Sequence, residues 1–108
     1  MAKFRMDVDQ KRYFCTLCSE GSITRAAQSL YLSRQGLSKS MKSLESQLGA
    51  QLFVRGKKGV ELTAAGRILL RYLHEEGRLW DACVADICSV SQTDSELVRV
   101  GLLSMYVG

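Results

Sequence analysis

Four segments with apolar residues at helical spacing each follow a residue that is well suited to begin a helix. These residues are Asp7, Ser22, Ser33 and Thr63, whose side-chain oxygens can accept hydrogen bonds from free N–H groups of the first helical turn. No proline occurs among the 108 residues, where average usage gives about five, and long helices are compatible with that composition. The pattern therefore predicts a mainly helical chain.

The first two predicted helices are separated by a glycine. Asp7 and Gln10 have the spacing of a capping box, and the helix that they begin should run to about Glu20, with Gly21 ending it. The second helix places Ala26–Ala27 on its apolar face, where small side chains allow another helix to approach closely.

The third predicted helix begins after Ser33 and should end at Gly49. Apolar residues recur along it at steps of four and three, which predicts one buried stripe; they are Leu37, Met41, Leu44 and Leu48. The other faces carry cationic and hydrogen-bonding side chains, namely Arg34, Gln35, Ser38, Lys39, Lys42 and Ser46.

Two short strand-like segments come next, on either side of a basic loop bounded by Gly56 and Gly59. Residues 52–55 and 60–62 have the composition of strands, and the glycine-bounded loop between them predicts a β-hairpin. The predicted fold is therefore mainly α: three helices plus a β-hairpin at residues 53–62, followed by a long helix.

The last predicted helix extends from Thr63 to about Ser91, on the order of 42 Å at 1.5 Å per residue. Apolar residues alternate at steps of four and three along it, with one charged break at Glu76. A helix too long for its own small domain is expected to pack this stripe against a second copy of the chain. The alternative is packing within the same chain. The predicted dimer contacts are Leu69, Leu73, Trp80, Cys83, Val84 and Ile87.

The composition of residues 92–108 predicts a polar linker followed by one β-like segment. A single strand does not make a domain, so we expect the chain to be truncated just inside a second one. Apolar runs reach only a few residues, as at Ile68–Leu70, and the N-terminus has no apolar core of a signal sequence. A membrane span and a secretory signal are therefore not expected.

Charge is distributed unevenly along the chain. Residues 1–62 hold 11 basic and 5 acidic side chains, a net charge of +6, whereas residues 63–108 hold 4 and 6, a net charge of −2. This asymmetry indicates a polyanion-binding module joined to a segment that does not bind polyanions. The alternative is a solvated basic face with no partner.

The four cysteines do not form a convincing metal site. Cys15 and Cys18 have the C-x-x-C spacing, but no second such pair exists, and the single histidine, His74, lies far along the chain. Cys15 and Cys18 also fall on a predicted helix beside apolar residues, which favours a role in packing. We therefore expect no metal, no cofactor and no disulfide.

The second and third predicted helices, joined by a short turn, form the pattern of a helix-turn-helix. In that motif the second helix lies in the major groove of DNA with its first turns at the base edges, where Arg34 and Gln35 can pair with guanine and adenine. Ser38 and Lys39 follow one turn later, and Lys42 a further turn on, within reach of phosphates. The predicted DNA-binding residues are Thr24, Ser33, Arg34, Gln35, Ser38, Lys39, Lys42, Arg55, Lys57 and Lys58.

Two other functional classes have to be weighed. One is a winged-helix module whose basic face binds an acidic protein, which need not place residues 33–35 and the Lys57–Lys58 loop on one continuous surface. The other is an enzyme. It is not expected, because no Ser, Cys or carboxylate cluster stands beside a plausible base.

Several motifs of the chain, in their order and spacing, resemble the DNA-binding domain of LysR-type transcriptional regulators. They are Gly21–Leu30, Leu32–Met41, Leu44–Gly49, Leu52–Arg55 and Leu62–Gly66. The resemblance covers residues 7–91. The chain departs from the family at Gln35-Gly36, where proline and alanine are common, and at Lys11, where leucine is common.

The resemblance implies a sequence-specific DNA-binding transcription regulator. Residues 1–62 correspond to the winged helix-turn-helix, residues 63–91 to a dimerising linker helix, and residues 92–108 to a linker and the first strand of a C-terminal effector-binding domain. Members of the family are bacterial cytoplasmic proteins, usually tetrameric when complete, that bind interrupted dyad sites. They respond to small-molecule inducers, which here would bind only the missing C-terminal domain.

Overall fold

The computed structural model describes residues 5–93, and within that range it contains four helices and one two-stranded sheet. The elements are α1 (Val8–Glu20), α2 (Ile23–Leu30), α3 (Arg34–Leu48), β1 (Phe53–Gly56), β2 (Gly59–Leu62) and α4 (Ala64–Thr93). This order confirms the predicted fold, and α4 extends two residues beyond the predicted end at Ser91. The remainder of the predicted linker and strand, residues 94–108, lies outside the described residues.

The predicted helix starts are formed by side-chain caps. Asp7 accepts a hydrogen bond from the N–H of Gln10 at 2.7 Å, and the Gln10 side chain accepts one from the N–H of Asp7, which completes the capping box. Ser33 caps α3 through the N–H of Gly36 at 2.9 Å, and Thr63 accepts a bond from the third residue of α4 at 3.0 Å. Each cap satisfies an N–H group that the helix itself leaves free.

One apolar core lies between the first three helices and the start of the hairpin. Its eight buried residues are Phe14, Leu17, Ala26, Ala27, Leu37, Met41, Leu44 and Leu52. The Phe14 ring packs against that of Phe53, with centroids 5.3 Å apart. The paired alanines are 0% and 2% exposed, so the predicted close approach of helices at α2 is present.

The antiparallel hairpin β1–β2, residues 53–62, is called the wing below. Phe53 pairs with Leu62, and the ladder ends at Gly56 and Gly59, which leaves a two-residue loop of Lys57 and Lys58. The predicted first strand began one residue earlier, at 52. In the structure the N–H of residue 52 binds a side chain of α3 instead of a neighbouring strand.

The wing is fixed to two helices through backbone groups. The Glu45 carboxylate on α3 accepts hydrogen bonds from the N–H groups of Leu52 and Phe53, at 2.7 and 3.2 Å. On β2, the N–H of Val60 donates to the carbonyl of Gly21 at the end of α1, at 3.1 Å. These bonds hold the wing in a defined position beside α3.

The chain forms two compact units, one ending at Leu73 and one beginning at His74. In the first unit Leu69 and Leu73 are half-buried against the core. Both leucines belong to the predicted dimer contacts, and within the chain they pack partly against the core; their part in a dimer stays a prediction. Among residues 5–93, no helix has the length and apolar character that a membrane span requires.

Candidate nucleic-acid interface

The first turn of α3 presents its polar side chains to solvent. Leu37 is completely buried, and this fixes the rotation of the helix about its axis. Arg34 and Gln35, which lie three and two residues before it, are exposed as a result. The two side chains predicted to read bases therefore point away from the interior of the domain.

A groove of about 270 Å³ lies where α2, α3 and the wing meet. Its lining residues are Ile23 from α2, Arg34, Gln35 and Ser38 from α3, and Arg55 from the wing. Two guanidinium groups, a carboxamide and a hydroxyl thus share one concave surface. Four of the predicted DNA-binding residues are brought together here.

A second groove, of about 160 Å³, continues along the junction of α3 and the wing. It shares Ser38 and Arg55 with the first groove, and it adds Lys42 from the third turn of α3. The predicted base-reading and phosphate-binding positions of α3 are therefore linked to the wing by one surface. A protein-binding module would not require this convergence.

The other predicted residues line neither groove. Thr24, Lys39, Lys57 and Lys58 are exposed, and the last two form the loop of the wing. The Ser33 hydroxyl oxygen already accepts a hydrogen bond from the α3 backbone. It keeps its own proton to donate, so a cap and a ligand contact are compatible in this residue.

Few negative charges oppose the cations of this surface. Within residues 5–93, none of the groove cations Arg34, Lys42 and Arg55 forms an ion pair with a carboxylate. Between residues 21 and 62 the carboxylates are those of Glu45, which is engaged by two backbone N–H groups, and Glu61, which lies on β2 and lines neither groove. The cations are therefore free to attract a polyanion.

Cys15 and Cys18 are half-buried and pack against the core, in agreement with the predicted role in packing. Burial raises the pKa of both thiols, that of Cys18 to about 12, with a smaller contribution from neighbouring Cys15. Both thiols are protonated at neutral pH, whereas the thiolate is the nucleophile and the metal ligand. Among residues 5–93, no three histidine, cysteine or acidic side chains are grouped closely enough to hold a metal ion.

Two residues near the interface were missed by the sequence analysis. Ile23 lines both grooves, although its place on the apolar face of α2, with Ala26 and Ala27, predicts a core-facing side chain. Tyr31 is not among the predicted DNA-binding residues, yet its side chain is 96% exposed in the turn between α2 and α3. The signal for Tyr31 was available, because a tyrosine stands where a helix-ending turn favours glycine.

A row of large apolar side chains on α4 is exposed after residue 74. Trp80 is 66% exposed and Ile87 is 58% exposed, and Val84 and Cys83 lie between them. Leu79 and Val90 extend the row at its two ends. Four of the six predicted dimer contacts therefore lie on this open face.

Comparison with known proteins identifies similarities to transcriptional regulators. Residues 8–67 match the family described as bacterial regulatory helix-turn-helix protein, lysR family. The chain is 40% identical over 89 residues to the SDS degradation transcriptional activation protein of a Pseudomonas sp., covering 82% of this chain and 28% of that protein. It is 41% identical over 83 residues to a probable RuBisCO transcriptional regulator of Porphyra purpurea, covering 77% and 25%. The chain thus spans about a quarter of the length of these relatives.

Solved structures give the same result. The BenM DNA-binding domain in complex with benA site 1 DNA superposes with a TM-score of 0.66 at 30% identity, over 79% of this chain and 99% of that one. The CbnR DNA-binding domain in complex with DNA superposes with a TM-score of 0.59 at 35% identity, over 76% and 99%. Both similarities extend over nearly the whole of those domains.

Proposed function

Because this chain belongs to the LysR family of bacterial regulatory helix-turn-helix proteins, we propose that α3 enters the major groove of double-stranded DNA while the wing contacts the adjacent minor groove or backbone. The chain is a DNA-binding domain of a transcription regulator, and its family is not one of enzymes. The related BenM and CbnR domains have been solved on DNA, which supports the same role here.

The observation that carries the proposal is the shared groove of Arg34, Gln35, Ser38 and Arg55. A glutamine carboxamide can pair with adenine through two hydrogen bonds, and an arginine can pair with guanine in the same way. The exposed first turn of α3 presents both groups together. We assign sequence reading to Arg34 and Gln35, assisted by Ser38.

The remaining cations are assigned to the DNA backbone. Lys39 and Lys42 lie on later turns of α3. Arg55 lies on β1, two residues before the Lys57–Lys58 loop. Phosphate contacts fix the position of a protein on the duplex but carry no sequence information. Thr24, near the start of α2, is assigned to the backbone as well, because the first helix of the motif crosses it.

Alanine substitutions should separate the two roles. Arg34→Ala or Gln35→Ala is expected to reduce the preference for a specific site by about 5- to 100-fold, because each bidentate base contact discriminates by roughly 1–3 kcal/mol. Lys42→Ala or Lys58→Ala is expected to weaken binding to all DNA by a similar factor. The measurement is an electrophoretic mobility shift on a site selected from a random DNA pool and on a scrambled copy of that site.

Arg12→Ala serves as the matched control. It removes one arginine from α1, where Arg12 faces Asp9 at 3.7 Å, and it lies outside both grooves. Its preference for the selected site should equal that of the unsubstituted chain. Equal affinity of the unsubstituted chain for both DNA molecules at every salt concentration would contradict sequence-specific binding.

We further propose that the chain forms a homodimer through α4. Exposed apolar side chains follow a heptad-like spacing from Trp80 to Ile87, and such a face is unfavourable in water unless a partner covers it. Two DNA-binding domains would then contact half-sites of an interrupted dyad, roughly a whole number of helical turns apart. In the complete protein we propose a tetramer in the cytoplasm, with a small-molecule effector bound by a C-terminal domain.

Trp80→Asp is expected to convert the dimer to a monomer. Tryptophan supplies the largest apolar surface on this face, and burying an unpaired carboxylate in its place costs several kcal/mol. Sedimentation equilibrium measures the change directly. Ala82→Asp adds the same charge to the opposite side of α4 and should remain dimeric; a Trp80→Asp dimer as stable as that control would contradict the proposed interface.

A further inference from the structure

Tyr31 ends α2 in a backbone conformation that tyrosine rarely adopts. Its φ and ψ are 57° and 42°, in the left-handed region that favours glycine because glycine has no Cβ. Within residues 5–93 it is the one residue other than glycine with a positive φ. The ends of α1 and α3 use this same conformation, but Gly21 and Gly49 occupy those positions.

The hydrogen bonds of the turn require this conformation. The N–H of Tyr31 donates to the carbonyl of Gln28 at 3.2 Å, and the N–H of Leu32 donates to that of Ala27 at 2.9 Å. These two bonds form a Schellman motif, in which the residue at the Tyr31 position is left-handed. The same motif closes α3 with Gly49. The left-handed backbone conformation of this turn therefore favours glycine, but the residue at this position is tyrosine.

No contact of the Tyr31 side chain compensates this strain. The Tyr31 side chain is 96% exposed, and in the described part of the chain its phenol has no hydrogen bond and its ring no stacking partner. By contrast, the ring of Tyr72 lies 5.3 Å from the guanidinium of Arg71. Strained backbone conformations of this kind are concentrated at functional sites.

The position of Tyr31 indicates what its phenol contacts. The turn leads directly into Ser33 and Arg34, at the end of α3 that reaches the bases in a helix-turn-helix. Tyrosine is among the side chains that donate hydrogen bonds to DNA phosphates. We propose that Tyr31 is a further DNA-binding residue, whose hydroxyl donates to a phosphate oxygen beside the major groove. This inference rests on the proposed function.

The rigidity of the turn makes the contact favourable. Leu32 is half-buried against the core, and the two backbone bonds fix the residue before it. A phenol has few rotatable bonds, so little conformational freedom is lost when it contacts DNA. Tyr31 thus lowers the stability of the domain through its strained backbone and raises the affinity for DNA through its hydroxyl.

Three variants test whether Tyr31 lowers stability and raises DNA affinity, with thermal unfolding and affinity for the selected DNA site as readouts. Tyr31→Gly relieves the strain and removes the phenol, so its unfolding temperature should rise by a few degrees while its affinity falls about tenfold. Tyr31→Phe keeps the backbone strain and removes only the hydroxyl. It should lose a similar factor in affinity with an unchanged unfolding temperature. Tyr72→Phe removes a hydroxyl from α4 and should change neither.

The outcomes distinguish this inference from the proposed function. Loss of a phosphate contact weakens binding to the selected and the scrambled site equally, and ethylation interference should lose one phosphate position in Tyr31→Phe. Unchanged affinity in both Tyr31 variants, or a loss confined to the selected site, overturns the phosphate contact while DNA binding by the domain stands. Failure of the unsubstituted chain to bind DNA overturns the proposed function and this inference together.

Discussion

Raising the salt concentration from 50 to 200 mM is expected to weaken DNA binding about 500-fold. Each phosphate neutralised by a lysine or arginine releases a condensed counterion, so the logarithm of the affinity falls with the logarithm of the salt concentration, with a slope of about −0.9 per phosphate. Seven cationic side chains of residues 21–60 are exposed on the domain. With the five of them that are assigned to the DNA backbone on phosphates, the slope is about −4.5.

Fluorescence anisotropy of a labelled duplex at several salt concentrations measures this slope. The double variant Lys57→Ala, Lys58→Ala removes the wing loop cations and should make the slope less steep by about two. Arg12→Ala, outside both grooves, should leave it unchanged. A slope near zero would mean that apolar contacts dominate the interaction, and it would contradict the assignment of these cations to the DNA backbone.

The helices and the wing were predictable because their determinants are local. Asp7 and Ser33 accept hydrogen bonds from groups three residues away, and Gly49 permits the left-handed end of α3. Such signals depend on neighbours in sequence and need no knowledge of the tertiary structure. The exposure of Arg34 was equally predictable, since the apolar stripe that buries Leu37 fixes which face of α3 remains outside.

The features that the sequence did not predict depend on distant neighbours. The partial burial of Leu69 and Leu73 against the core depends on where α4 begins relative to the wing, and their part in a dimer stays a prediction. Ile23 belongs to the core face of α2 and also lines the groove, because the wing approaches there. The attachment of β2 to the carbonyl of Gly21 is another contact between residues far apart in sequence.

Gly66→Ala is expected to destabilise the domain severely, although alanine is the better helix former. In an open helix this change contributes about 1 kcal/mol of stability. Here a Cβ on Gly66 would lie far inside van der Waals contact with the carbonyl oxygen of Leu52, and 2.8 Å from Cδ2 of Leu62. The Leu52 carbonyl cannot move freely, since it accepts a hydrogen bond from the N–H of Thr63 at 2.9 Å.

The steric conflict should outweigh the helix propensity. Overpacking of a close contact costs roughly 1–3 kcal/mol, and occasionally more, and a backbone neighbour is less able to move than a side chain. We expect a net loss of about 2 kcal/mol or more, which lowers the unfolding temperature of a domain of this size by about 10 °C. Thermal unfolding followed by circular dichroism measures the shift.

Gly77→Ala provides a control on the same helix, because a Cβ at Gly77 meets nothing within 4 Å. That variant should be as stable as the unsubstituted chain or slightly more stable, through helix propensity alone. The opposite signs of the two glycine substitutions follow from their surroundings, since the chemical change is identical. If Gly66→Ala unfolds at the same temperature as Gly77→Ala, α4 does not begin against the Leu52 carbonyl, and the position of the wing beside α3 has to be revised.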